Sequence, residues 1–467
     1  MYLPRGYSDS DLGDVEVVVR DGVLHLFHLT LPKHEVILHA VSTDGIRWEP
    51  RPPVLATGEL GAFDDDQLWT MGIVFYDGRY YMLYTALSRA EVGRVQRVGL
   101  AVSDDLDSWE KLPHAVSEAT APHYVTDRGS APWVAWRDPK PVVLADGLVH
   151  AVVCARDPGA PALRQAAVAH LVSRDLETWE VRPPLFTSRR HVELECPQLF
   201  SFAGRFYLTA AVIEERLQRY WVADDLEGPF RAPLDNRLGP RGHYAARICE
   251  VGDESWLFAF HDPAGGSPPN GRFVPAPLVL VAHADGRLSV KRTTGWDVRF
   301  GEERPIEVAS LTPTYAARHT ANDGARLASL EGLELFGTAG PRDFVLRAAL
   351  AIDAPFFGVG IGATDDGAGV LVSFDRGAGE VAATYRSPAR PEGHPAFTER
   401  VLARGPAQIG DRVELEVIYA EGELIVSLDG AVVLSTGLGV ELPANFGLAV
   451  DSGAITVDAL SMAEIHP

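Results

Sequence analysis

VSTDGIRWE (residues 41–49) is echoed by AVSDDLDSWE (101–110) and LVSRDLETWE (171–180). Each runs from apolar residues through Ser and an Asp-bearing turn to Trp and Glu. WVADDLEGPF (221–230) is a weaker copy and VAHADGRLSV (281–290) a faint one. The first four recur about every fifty to seventy residues, a period that signals an array or a propeller rather than a single sandwich. Each copy ends a β-rich run. In VFYDGRYYMLYT (74–85), for example, Asp77-Gly78 supplies a hairpin turn between two strands. The Asp of each copy suits a turn in which its carboxylate accepts backbone N–H groups. Trp48, Trp109 and Trp179 read as packing between neighbouring sheets, and so mark architecture rather than chemistry.

Five blocks follow from this repeat, at roughly 12–55, 66–115, 132–185, 193–235 and 243–292. Helical periodicity is scarce. The expected fold is all-β: a five-bladed β-propeller over 1–295, because radial repetition leaves only short, protected edges. Residues 296–325 read as a connector. From 326 to 467 the grammar changes to short alternating strands such as DFVLRAALAI, GVLVSFD, RVELEVIYA and AITVDALSM, with Gly, Asp and Asn turns between them. That pattern predicts a β-sandwich.

The 467 residues are too many for one core and 46% are apolar, which fits two domains with substantial interiors. No apolar run approaches the ~20 residues of a membrane helix. The opening MYLPRGYSDSDLGD lacks a basic segment followed by an apolar one. Three cysteines, Cys154, Cys196 and Cys249, form neither a disulfide framework nor a zinc spacing. A reducing cytoplasm is the expected compartment. The net charge of −22 argues against nucleic acid and anionic membrane as partners. It suits a small-molecule or oligosaccharide substrate. Nothing signals an oligomeric state.

Three acids open three of the blocks: Asp14 before VEVVV, Asp138 in WRDPKPV and Glu195 in ELECPQLF. They fall at matching points of the repeat, so closing the ring brings them to one axis. Converging carboxylates are what cleavage of a glycosidic bond requires: one donates a proton to the leaving oxygen, another attacks or stabilises an oxocarbenium-like centre. Taken alone, Asp14 is one of a loop cluster with Asp9 and Asp11. Arg137 can pair with a nearby carboxylate and lower its pKa. Arg156-Asp157-Pro158 repeats the Arg-Asp-Pro unit inside a block, where a structural turn is the expectation. Burial of Glu195 at an apolar strand start favours a protonated general acid. Glu193 should face the other way along an extended strand, similar chemistry on the wrong side, so Glu193→Ala is expected to be tolerated.

Candidate substrate contacts are Arg137, Asp66 and Trp69 from block two and three, and His243 and Tyr244 from the start of block five. Trp69 offers a ring on which a sugar can stack. The acidic loop around Asp66 is as readily a structural turn.

Trp136-Arg137-Asp138-Pro139 resembles the Arg-Asp-Pro motif of glycoside hydrolase family 32, and Glu195-Cys196-Pro197 its Glu-Cys motif. His243-Tyr244-Ala245-Ala246 is similar to its Phe-Tyr-Ala segment. The resemblance extends to the clan of five-bladed propeller glycosidases shared with families 43 and 68. It implies a propeller followed by a sandwich, with Asp14 as nucleophile, Asp138 as stabiliser and Glu195 as acid/base. It implies action on β-fructofuranosides such as sucrose, inulin or levan, with retention of configuration and water or a sugar as acceptor. No cofactor or metal is required by this chemistry, although a calcium ion in the channel is compatible with it. The chain departs from the family where SDSDLGDVEVV replaces the N-terminal Trp-Met-Asn-Asp-Pro-Asn-Gly segment and Trp69-Thr70-Met71-Gly72 replaces Trp-Ser-Gly-Ser. An inverting family 43-like arabinosidase or xylosidase, or a sugar-binding propeller without turnover, are the alternatives.

Overall fold

The computed structural model describes residues 11–129, 132–262, 272–388 and 398–466; Asp9 lies outside them. Contacts divide the chain into two compact units, Tyr2–Ser289 and Val290–Pro467.

The first unit is a five-bladed propeller, each blade an antiparallel meander in chain order. Four blades have four strands. The fourth has three, Glu195–Phe202, Arg205–Val212 and Leu217–Ala223, and its outer edge is completed by single bridges from Arg231 and Arg237. The inner strands are Asp11–Arg20, Gln67–Tyr76, Arg137–Val143, Glu195–Phe202 and His243–Val251. The Asp-Gly pairs turn the first two hairpins, with Asp21 and Gly22 at φ of 51° and 78° and Asp77 and Gly78 at 45° and 83°. That is the left-handed geometry tight hairpins need.

The repeat motif does what its composition dictates. Ser42, Ser103 and Ser173 accept backbone N–H groups from the turn that follows each, and Asp44, Asp105 and Asp175 each accept two more. Trp109 and Trp179 donate their indole N–H to Leu106 and Leu176 within the same turns. All three Trp pack against apolar clusters between blades. The ring closes through such a cluster: Leu12, Val15, Val17 and Leu24 of blade one meet Tyr244, Trp256, Phe258 and Phe260 of blade five. Burial of side chains of this size contributes roughly 1.5–3 kcal/mol each.

The second unit is a β-sandwich-like domain whose strands join into one nearly closed sheet around a large apolar core. Residues 296–325 contain short 3-10 turns and short strands that pair into this sheet. AITVDALSM, expected as a short strand, is the second half of a longer run, Asn445–Glu464. It pairs with Phe356–Ile361 along its first half and with Phe344–Asp353 along its second. Ser452, at φ 57°, sits where the partner changes.

Candidate active site

All five inner strands carry a β-bulge near their start. One extra residue is accommodated between Leu12 and Val15, Trp69 and Met71, Arg137 and Lys140, Glu195 and Gln198, and Tyr244 and Arg247. A bulge breaks the inward–outward alternation and re-aims side chains at a sheet edge. Asp138, Cys196 and Ala245 occupy the first bulge position at φ of 60°, 47° and 51°. That left-handed conformation is costly for residues with a Cβ, and it clusters at functional sites.

The bulges refine the expectation that the three acids hold matching positions. By register, Glu195 precedes its bulge, Asp138 is the first bulge residue and Asp14 the second. They are successive steps of one local geometry taken from three blades. All three nevertheless line a single cavity of about 150 Å³, together with Arg137, Trp69 and Thr70. Leu29, Leu31 and His34 complete its wall, and His34 lies against Trp69 with ring centroids 5.4 Å apart.

Polar contacts tie the acids together. Thr70 donates its hydroxyl to Asp14 Oδ2. The Cys196 thiol lies 3.5 Å from the same oxygen. The Cys196 backbone N–H donates to Asp138 Oδ2 at 2.9 Å, and the Asp138 N–H donates to Thr85 Oγ1 at 2.9 Å. Arg137 reaches Glu195 Oε1 at 2.8 Å, and its Nε lies 3.5 Å from Asp138 Oδ2. Tyr244 donates its phenol O–H to Glu195 Oε2. The facing atoms of Asp14, Asp138 and Cys196 lie within 4.8 Å of one another. Burial holds the Cys196 thiol well above its usual pKa, so it stays a protonated donor, and hydrogen bonding accounts for this cluster.

Burial raises the pKa of all three carboxyls. At Asp14 the Thr70 hydroxyl opposes it, Glu195 adds to it, and Arg247 pulls back. At Asp138 the Arg137 guanidinium opposes it. At Glu195 Arg137 and Tyr244 oppose it while Asp138 adds to it. Glu195 keeps 20% of its side chain exposed, toward the cavity.

Some expected contacts lie elsewhere. Asp66 does not line the cavity; its backbone N–H pairs with Leu87 in the loop bridging two strands. His243 is 1% exposed and packs edge-on against His261 beneath the surface. Its place at a block start put it on the strand but on the interior side. Tyr244 acts on Glu195 rather than on the cavity wall. Thr70 and His34 escaped the sequence reading because neither belongs to a charged motif. Thr70 was visible only as part of the altered Trp-Thr-Met-Gly segment.

Glu193 overturns an expectation outright. It is 6% exposed, and its carboxylate binds Arg137 at 2.6 Å, Arg156 at 2.8 Å and Trp133 Nε1 at 2.9 Å. It lies before the strand begins, so strand alternation does not apply to it. Arg156, from the second Arg-Asp-Pro unit, is thus part of the site's support.

The bulges of three blades thus aim three carboxyls into one pocket. Residues 15–223, a little under half of the chain, match the Glycosyl hydrolases family 32 N-terminal domain. The match includes Asp138 and Glu195, and Asp14 stands one residue before it. A β-fructofuranosidase, insoluble isoenzyme, of Arabidopsis thaliana is 26% identical over 206 residues, which is 42% of this chain and 33% of that protein. The chain therefore aligns with about a third of that relative's length. Fructan 1-exohydrolase IIa of Cichorium intybus superposes with a TM-score of 0.73 at 14% identity, covering 98% of this chain and 96% of that one. An exo-inulinase of Aspergillus awamori gives 0.72 at 16% identity, covering 99% and 97%. At these identities the likeness to both structures is one of fold.

Proposed function

We propose that the protein is a retaining β-fructofuranosidase that removes a terminal fructosyl unit from sucrose, inulin, levan or a related fructoside. The observation that carries this is the single cavity onto which Asp14, Asp138 and Glu195 converge. Its volume of about 150 Å³ is below the ~300–1,000 Å³ of pockets for larger ligands, which suits one sugar ring and action from a chain end. The names of the relatives, a fructofuranosidase, a fructan exohydrolase and an exo-inulinase, support the same substrate class.

In this reading Glu195 is protonated in the resting site and gives its proton to the leaving oxygen. The Asp14 carboxylate attacks the anomeric carbon, with Thr70 and Arg247 favouring its charged form. Asp138 accepts hydrogen bonds from ring hydroxyls. Arg137 Nη1, buried with no hydrogen-bond partner, offers a donor to the substrate, and Trp69 offers a face. Water, having given a proton to the Glu195 carboxylate, then attacks the fructosyl–Asp14 ester, and configuration is retained. A sugar in place of water gives transfer.

The test is a panel of sucrose, inulin, levan, difructose anhydrides and aryl arabinosides, with the first-formed anomer read by NMR. Release of β-fructose supports the proposal. Release of an inverted pentose from the arabinosides, or binding without turnover across the panel, refutes it.

A further inference from the structure

Behind Glu195, between it and the body of blades three and four, lies a buried ionic relay that meets the cavity through Arg137, while Glu193, Arg156 and Trp133 do not line it. Arg137 Nη2 sits between two carboxylates, 2.6 Å from Glu193 Oε2 and 2.8 Å from Glu195 Oε1. The other oxygen of Glu193 accepts Arg156 Nε at 2.8 Å and Trp133 Nε1 at 2.9 Å. The Arg156 guanidinium also stacks on the Trp133 ring, 4.9 Å from its centroid. The side chains of Arg137, Arg156 and Glu193 are 4%, 3% and 7% exposed. Nothing in proton transfer itself demands a second acid here. A buried carboxylate with two cations and an indole donor is too expensive a structure to be incidental.

We propose that Glu193 is a positioning residue: held from behind by Arg156 and Trp133, it fixes Arg137 beside Glu195 and takes a share of its charge. The inference rests on the assignment of Glu195 as the acid. An undivided Arg137 next to Glu195 would stabilise the carboxylate and empty the proton donor at working pH. Divided, it orients Glu195 while leaving burial to keep the proton on.

Other groups face Glu195 as well. Asp14 from blade one and Asp138 from blade three add negative charge. Tyr244 of blade five donates a hydrogen bond, and Arg247 of the same strand lies deeper, with its Nη1 on the Cys196 and Pro197 carbonyls. The thiols of Cys154 and Cys196 are held protonated by burial. None of these is a hydrogen-bond or ion-pair partner of Glu193, whose partners are Arg137, Arg156 and Trp133.

Two substitutions of opposite sign test this. E193Q removes the competing charge, turns Arg137 fully toward Glu195, and should lower the pH of the alkaline limb of kcat/KM by about one unit. R156Q leaves Glu193 to draw harder on Arg137 and should raise that limb by a similar amount. E193D, which keeps the charge, should restore the wild-type limb even if kcat falls. The pH profiles are read on whichever substrate the panel identifies. The midpoint of Glu195 itself is read independently by 13C NMR of carboxyl-labelled glutamate, the resonance assigned by its loss in E195Q. If wild type turns over nothing, the functional reading fails while the NMR titration still decides this one. Limbs and midpoints that stay fixed in E193Q and R156Q, or that move in the same direction, overturn the proposal. Should E193Q not fold, R156Q and E193D carry the test.

Discussion

Below the carboxyl pocket the propeller axis is closed by charge rather than by hydrocarbon. Glu16 is 0% exposed. It binds Lys140 through one oxygen, and Arg247 Nε lies 3.3 Å from the other. Three blades thus meet in one buried triad. Glu16→Gln would leave two buried cations without their anion. Breaking a buried pair from one side costs about 3–5 kcal/mol. The amide oxygen can still accept from Lys140, so the lower end, ~3 kcal/mol, is expected. Against a total stability of roughly 5–15 kcal/mol this is a large fraction. Urea unfolding followed by tryptophan fluorescence isolates the right unit, because of nine tryptophans only Trp296 lies outside residues 2–289. With an m-value of about 3 kcal/mol/M the midpoint should fall by roughly 1 M. K140M, which leaves Glu16 with Arg247, should cost less, and the double variant should be less destabilised than the two singles summed. An E16Q loss below about 1 kcal/mol, the range of exposed pairs, would refute the claim that the triad is buried.

Three further outcomes follow from the site and its surroundings. Glu195→Gln should lower kcat on a natural fructoside about 10²–10⁴-fold, and much less on an aryl fructoside whose leaving group needs no proton; equal losses on both would contradict the acid role. Tyr244→Phe removes a hydrogen bond that holds the Glu195 pKa down, so the alkaline limb of kcat/KM should move to higher pH, and a shift downward would contradict it. Buried histidines make the fold acid-sensitive: burial lowers His28 and His261 to about 4 and His243 to about 3. The unfolded chain takes up protons first, near 6.5, so this stability is present above pH 6.5 and is lost as pH falls toward 4. The raised carboxyls act with the opposite sign. A urea midpoint that rises from pH 7 to pH 5 would show that the histidines do not dominate.

The blade repeat was legible because its parts are local. Ser-x-Asp builds its own turn from its own backbone, and Asp-Gly builds its own hairpin, so sequence neighbours suffice to read them. Asp138 and Glu195 were legible for a different reason: each sits at a strand start beside a conspicuous neighbour, Pro139 or Cys196-Pro197, whereas Asp14 stood out only through its matching place in the repeat. Glu16, Lys140 and Arg247 passed unnoticed because the two cations lie 124 and 231 residues from Glu16 along the chain, and no local pattern marks an ion pair that forms only when the ring closes. Glu193 was misread by a sound rule applied outside its range, since alternation holds within a strand and the strand begins at Glu195. His243 was named with Tyr244 for opening block five, and as neighbours on one strand the two side chains point to opposite faces, so Tyr244 reaches Glu195 while His243 packs inside against His261.

The same bulges explain how a fivefold scaffold yields an asymmetric site. Regular inner strands would present equivalent residues at equal distances from the axis, and identical acids there would only repel. A bulge offers three consecutive directions instead of one. Blade four uses the position before it for Glu195, blade three the first position for Asp138, and blade one the second for Asp14. Blade two contributes the hydroxyl of Thr70 to Asp14 rather than another charge. Blade five contributes the phenol of Tyr244 to Glu195. The acids are thereby given different neighbours: a guanidinium and a phenol at Glu195, a backbone N–H and the guanidinium's Nε at Asp138, a hydroxyl and a thiol at Asp14. Separate environments are what push neighbouring carboxyls toward separate roles. In the mechanism proposed above, the departure of the three acids from strict equivalence is the feature that lets one of them hold a proton while another stays free to attack.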